Sequence, residues 1–155
     1  MILSKNFSLN EFTKSVSAIR NGIDNSPSSE HIRNIQLLVK YVLQPLREAL
    51  GSPIRITSGY RSESLNKLIG GSKRSQHCKG QAADIQFRVD GVMNNKAIWD
   101  KIIELGLPFD QMINEFNYSW IHISYNEEYN RKSLLEAYKE NGRTKYKYYI
   151  QDKGL

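Results

Sequence analysis

Cysteine is nearly missing from this 155-residue chain: Cys78 stands alone. A lone thiol forms no internal disulfide and no thiolate cage for a structural metal, which fits a reducing compartment. Long apolar runs are missing too. The richest stretch, Ile35 to Leu43, is broken by Gln36, Lys40 and Tyr41, far short of the ~20 residues a membrane span needs. The opening Met-Ile-Leu-Ser-Lys-Asn-Phe-Ser has no basic start followed by an apolar core, so the expected location is the cytoplasm of the producing cell. Acid is the scarcer charge, with 16 Asp and Glu against 22 Lys and Arg and a formal charge of +6. That field attracts polyanions without naming one, and no stable nucleic-acid partner and no membrane attachment are expected. The hydrophobic share of 39% and charged share of 25% exclude disordered and fibrous classes. The length fits one domain, residues 1–155, expected to be a monomer.

What is present organises the chain. Ser8-Leu9-Asn10-Glu11 is a capping box with Phe7 as staple, and Phe12, Val16, Ile19 and Ile23 follow at helical spacing, predicting a helix from about Leu9 to Asn21. Asn25-Ser26-Pro27 then opens a long helix whose apolar stripe runs from Ile32 to Leu50, with Pro45 kinking it or splitting off a last turn. Strands are predicted at Ile54 to Thr57 and Ala82 to Val89, the second placing Ala83, Ile85 and Phe87 on one face and Ala82, Asp84 and Gln86 on the other. Short and amphipathic helices are predicted at Glu63 to Ile69 and Asn94 to Leu105. Gln111 to Phe116 and Trp120 to Tyr125 read as an antiparallel hairpin. A basic, tyrosine-rich extension over 129–155 follows the motif-bearing region 54–125, with a helical turn at Ser133 to Tyr138 and a strand from Lys145 to Ile150. The order predicts an α+β domain, N-terminal helices packed on a central antiparallel sheet.

Three histidines are available. His77 and Asp84 are seven residues apart across a loop and a strand, and His122 lies in Trp-Ile-His-Ile-Ser. Two imidazoles and a carboxylate with an open fourth position are a ligand set of catalytic zinc. On spacing alone, a hydrogen bond or surface pair for His77 and Asp84 and a half-buried strand histidine for His122 are the favoured readings. His31, in the first turn of the long helix, is unrelated to them.

The wider context adds Ser58-Gly59-Tyr60-Arg61-Ser62, Gly70-Gly71-Ser72, Ser75-Gln76-His77, Gly80-Gln81-Ala82-Ala83-Asp84-Ile85 and Trp120-Ile121-His122-Ile123-Ser124. In these ordered motifs the chain resembles the zinc peptidases that include D-alanyl-D-alanine carboxypeptidases and phage endolysins, whose fold is shared with the Hedgehog signalling domain. The resemblance implies Zn2+ on His77, Asp84 and His122, and a peptidoglycan stem peptide as substrate. It implies that Arg61 binds the substrate carboxylate or polarises its carbonyl, and that Ser75 and Gln76 sit beside the metal and hydrogen-bond substrate or ligands. In several branches an acid stands three positions before the last histidine. Here that position is Ser119, so Glu115 is the expected catalytic base, with Asp110 the competing carboxylate and a structural cap. Cys78 is expected to be a bystander, and Trp120, Tyr60 and Tyr125 to pack. A cell-wall-degrading peptidase without a leader implies an endolysin. The alternative, supported by Ser119, is a zinc-containing binding module of a wall or phage particle that has lost hydrolysis.

Overall fold

The structure, a computed structural model, describes residues 1–149. The first predicted helix is two: α1, Leu9–Thr13, and α2, Val16–Arg20. The capping box forms, with the Ser8 N–H donating to Glu11 Oε1 at 3.0 Å, and Phe7 and Phe12 are both buried. The break comes from a second cap. Lys14 leaves the helix with extended backbone, and the Ser15 hydroxyl accepts from the Ala18 N–H at 3.2 Å, starting a new helix.

The long helix is capped by Ser28, not Asn25, and begins as α3, Ser29–Leu38. Asn25 is spent elsewhere. Its Nδ2 donates to the carbonyls of Thr13 and Tyr60 at 2.9 and 3.1 Å, and its Oδ1 accepts from the Ser62 N–H at 2.7 Å, which holds the segment carrying Arg61 in place. One π turn, Val39–Leu43, joins α3 to α4, Gln44–Leu50. The wider turn re-phases the helix where Pro45 has no N–H to give, so the proline is absorbed with the Gln44 N–H donating to the Val39 carbonyl.

The remaining elements are β1 (Ile54–Ser58), α5 (Glu63–Leu68), β2 (Ala82–Val89), β3 (Val92–Met93), α6 (Asn95–Leu105), β4 (Gln111–Glu115), β5 (Trp120–Ser124), β6 (Ser133–Glu140) and β7 (Arg143–Tyr148). The α+β class holds, with a seven-stranded sheet ordered β1-β2-β5-β4-β6-β7 and β3 paired to β2. Two expectations are corrected. Ser133 to Tyr138 is not a helical turn but most of β6, and β6 runs parallel to β4, so the sheet is mixed rather than antiparallel throughout. Leu134, Leu135, Glu136 and Ala137 are good helix formers, yet the open edge of β4 gives them a full ladder of partners, and that tertiary pairing wins. At the far edge Asn141 and Gly142 both take positive φ, 52° and 75°, making a two-residue hairpin turn. Ile150, the expected end of β7, lies outside the described residues.

Alternation gives the sheet two different faces. Ala83, Ile85, Ile121, Ile123 and Met112 are fully buried against Leu38, Val42, Leu43, Leu46, Ile98 and Trp99 of the helices. The opposite face carries Asp84, His122 and Glu115, and it is open.

Candidate metal centre

Each strand delivers one side chain to the open face. Asp84 of β2 pairs with His122 of β5, and His122 pairs with Ile113 of β4. Glu115, two residues along β4, pairs with Trp120 and is a diagonal neighbour of His122. His77 comes from a 3₁₀ turn, Gln76–Lys79, just before β2, capped by Ser75.

The donors converge. One ligand atom from each of His77, Asp84 and His122 lies within 4.8 Å of the others. His77 Nε2 and His122 Nδ1 approach the same Asp84 Oδ1 at 3.3 and 3.2 Å. Burial opposes the Asp84 charge, but the two imidazoles outweigh it and hold the carboxyl well below the usual carboxylate range. His77 Nδ1 meets the Gly59 carbonyl at 2.7 Å; a proton on that nitrogen leaves Nε2 with its lone pair toward Asp84. His122 Nε2 is buried without a hydrogen-bond partner, and a proton there leaves Nδ1 free for the shared point. Two imidazoles and a carboxylate meeting at one point, with the remaining side open to a cleft, fit a zinc-type cation of the catalytic kind.

Gly59 sits where the carbonyl must be. A Cβ there would come within 2.5 Å of the Phe12 carbonyl oxygen and 2.6 Å of its Cα, so α1 presses on the strand end and only glycine fits. Gly59→Ala is expected to pull this carbonyl off His77 and weaken zinc binding by about 10–100-fold, as read by competition with a chromogenic chelator; wild-type affinity would show that the carbonyl does not orient the ring.

The cleft over this centre is about 710 Å³ and is lined by Arg61, Gln76, Glu115, Trp120, Leu135 and Tyr146 among others. Arg61 is half-buried, its backbone N–H donates to the His77 carbonyl at 3.1 Å, and its Nη2 donates to Ser75 Oγ at 3.4 Å. Its Nε is buried and unpartnered, and burial lowers the guanidinium pKa while Asp84 pulls it back up. The Ser75 hydroxyl also accepts from the His77 N–H at 3.2 Å, so it braces two cleft residues at once. Gln76 donates to Asp110 Oδ2 at 2.8 Å.

Asp110 is buried and takes two side-chain hydrogen bonds from Arg131, each at 2.9 Å. Against the cost of burial, these bonds and that from Gln76 keep its carboxyl below the ordinary range, and it is structural. Glu115 is the opposite case. It is 8% exposed, and burial pushes its carboxyl up to about 7, with His122 opposing and Asp84 adding to the rise. Ser119 is exposed in the loop, its hydroxyl donating to the Phe116 carbonyl at 2.7 Å. Cys78 is half-buried and outside the donor cluster. Tyr60 is buried and Tyr125 stacks on Tyr41 with ring centroids 5.3 Å apart, whereas Trp120 lies beside Phe116 on the cleft wall. The residues that sequence reasoning missed here are Leu135 and Tyr146; both follow from alternation once β6 is known to be a strand.

Two imidazoles and a carboxylate beside a buried glutamate are a donor set of the kind metallohydrolases use. Residues 5–124 match the family model described as peptidase M15, and the chain belongs to that family. A 50-residue stretch is 40% identical to the zinc D-Ala-D-Ala carboxypeptidase of Streptomyces albus G, the match covering 32% of this chain and 20% of that protein. The chain thus spans about a fifth of the curated relative it matches.

Proposed function

We propose that the chain is a zinc-dependent peptidase that hydrolyses the peptide stems of peptidoglycan, in the manner of an endolysin. The observation that carries this is the convergence of His77, Asp84 and His122 within 4.8 Å on an open sheet face, with Glu115 standing diagonally from His122 on the same face.

Zinc on these three side chains supplies a Lewis acid that activates water and polarises the scissile carbonyl near neutral pH. Glu115, with its carboxyl near 7, accepts the proton from the attacking water and returns it to the leaving amine. Arg61, with a buried Nε lacking a partner, offers its fork of donors to a substrate carboxylate or developing oxyanion. Ser75 holds Arg61 and His77 in register, and Gln76 keeps its amide oxygen for substrate while its Nε2 is tied to Asp110. Arg61 and Arg74 both line the cleft, which suits a substrate carrying free carboxylates, as stem peptides do.

The setting proposed is a phage or prophage protein made in the cytoplasm and acting on the wall after release. The test is incubation with peptidoglycan fragments of defined stems, products read by mass spectrometry. Release of D-alanine or of a stem fragment that stops on chelation supports the reading and names the bond. Zinc bound with no release from any stem points to the binding-module alternative.

A further inference from the structure

The β6–β7 hairpin lies beyond residues 5–124, the part matched by the family model, yet it completes the cleft. Parallel pairing puts Ala137 of β6 beside Glu115, and antiparallel pairing puts Tyr146 of β7 beside Ala137. Residues aligned across a sheet project from the same face, so Glu115, Ala137 and Tyr146 form one row on the cleft side. The middle member is a buried alanine, 2% exposed, whose small side chain is covered while the longer side chains of Glu115 and Tyr146 on either side of it reach the cleft. Two strand spacings, ~10 Å, separate the outer two, a gap that a tyrosine ring and a glutamate side chain narrow from opposite ends. Tyr146 and its same-face neighbour Thr144 line the cleft together with Glu115 and His122. Tyr146 is 55% exposed, so its phenol is accessible to a ligand; partial desolvation, and then the negative charges of Glu115 and Asp84, raise its pKa, and it keeps its proton through neutral pH and serves as a donor.

The geometry points to Tyr146 as a substrate-contacting residue whose phenol O–H donates a hydrogen bond to a carbonyl or carboxylate of the stem peptide lying across Glu115. This rests on the peptidase reading for the identity of the ligand. The hydroxyl stands on the wall made by β7, across the sheet from the Arg61 segment at the end of β1, so a bound peptide is gripped from both sides of the metal-ligand row.

The test compares Tyr146→Phe and Tyr146→Ala with the parent, each zinc-loaded, in two readouts. The first is calorimetric affinity for an intact stem pentapeptide, on a Glu115→Gln background that limits turnover. The second is kcat/KM for the same peptide with Glu115 present. Losing one donor predicts about 10-fold weaker peptide affinity for Tyr146→Phe, with zinc content and melting temperature unchanged and kcat/KM lowered at least as much. Parent-like affinity in Tyr146→Phe overturns the proposal. If Tyr146→Ala weakens binding and Tyr146→Phe does not, the ring merely packs, and the donor role is overturned. If the parent cleaves no stem, the peptidase reading falls while the calorimetric comparison still decides the role of Tyr146. Absence of peptide binding to the parent overturns both.

Discussion

Glu115→Gln is expected to lower turnover of a stem peptide by about 10²–10⁴-fold, with zinc content unchanged. The amide is nearly isosteric and keeps the packing beside Trp120, but it takes no proton. The same substitution is expected to stabilise the metal-free protein at alkaline pH. The sign follows from the direction of the shift: burial raises the folded carboxyl from 4.5 to about 7, so the folded state favours the protonated acid. The stability this group contributes is full below its unfolded pKa and is lost as pH rises through the folded value. At pH 8 the parent carries an ionised, poorly solvated carboxylate and the glutamine variant does not. The difference amounts to ~2–3 kcal/mol at pH 8 and vanishes near pH 4, measurable by denaturant melts of the metal-free pair. In the zinc-loaded enzyme the cation draws the Glu115 pKa down, so activity of the parent falls as pH drops through a midpoint at or below about 7. A variant that loses turnover while gaining alkaline stability is the signature of a functional carboxylate kept in an unfavourable place. Retained turnover in Glu115→Gln would discard it as the base.

The second large effect is on the metal itself. His122→Ala removes the donor that β5 brings to Asp84 Oδ1 at 3.2 Å, leaving His77 and Asp84 as a two-ligand remnant. Zinc held by three protein donors is expected to be lost on purification and turnover to fall below detection, with zinc read by elemental analysis. Asp84 then has one imidazole fewer to offset its burial, so its carboxyl rises and the variant loses stability at neutral pH relative to the parent. A contrasting variant is His31→Gln. The His31 Nδ1 accepts from the Ser28 N–H at 3.3 Å, closing the capping box of α3, and its ring packs on Tyr60 with centroids 4.8 Å apart; its loss is expected to affect stability and leave zinc content intact. Equal zinc loss in both would mean that histidine removal, not ligand removal, is being measured.

Much of this arrangement was legible before the fold was known, and particular residues show why. The alternation of Ala82 to Val89 was sufficient to put Asp84 opposite Ala83, Ile85 and Phe87, because a strand has a side-chain period of 2. Asn94 and Gly106 marked α6 nearly to the residue, since the first caps through Ala97 N–H and the second takes positive φ. Two failures share one cause, competition settled beyond the local sequence. Ser15 breaks the first helix because its hydroxyl finds the Ala18 N–H, and Ser28 rather than Asn25 caps the third because Asn25 is used by Thr13, Tyr60 and Ser62. The largest miss, β6, is a segment of helix formers recruited by the free edge of β4. With Ser133 to Tyr138 read as a helical turn, the row from Glu115 to Tyr146 was invisible.

The central claim is that His77, Asp84 and His122 hold a zinc ion on which peptide cleavage depends. The most direct measurement is reconstitution: metal-stripped protein is titrated with zinc while stem-peptide turnover is followed. The account predicts no turnover before addition, a linear rise that breaks at about one zinc per chain, and no rise in His122→Ala. Turnover undiminished in the stripped protein, or full zinc occupancy without turnover on any stem, would contradict it.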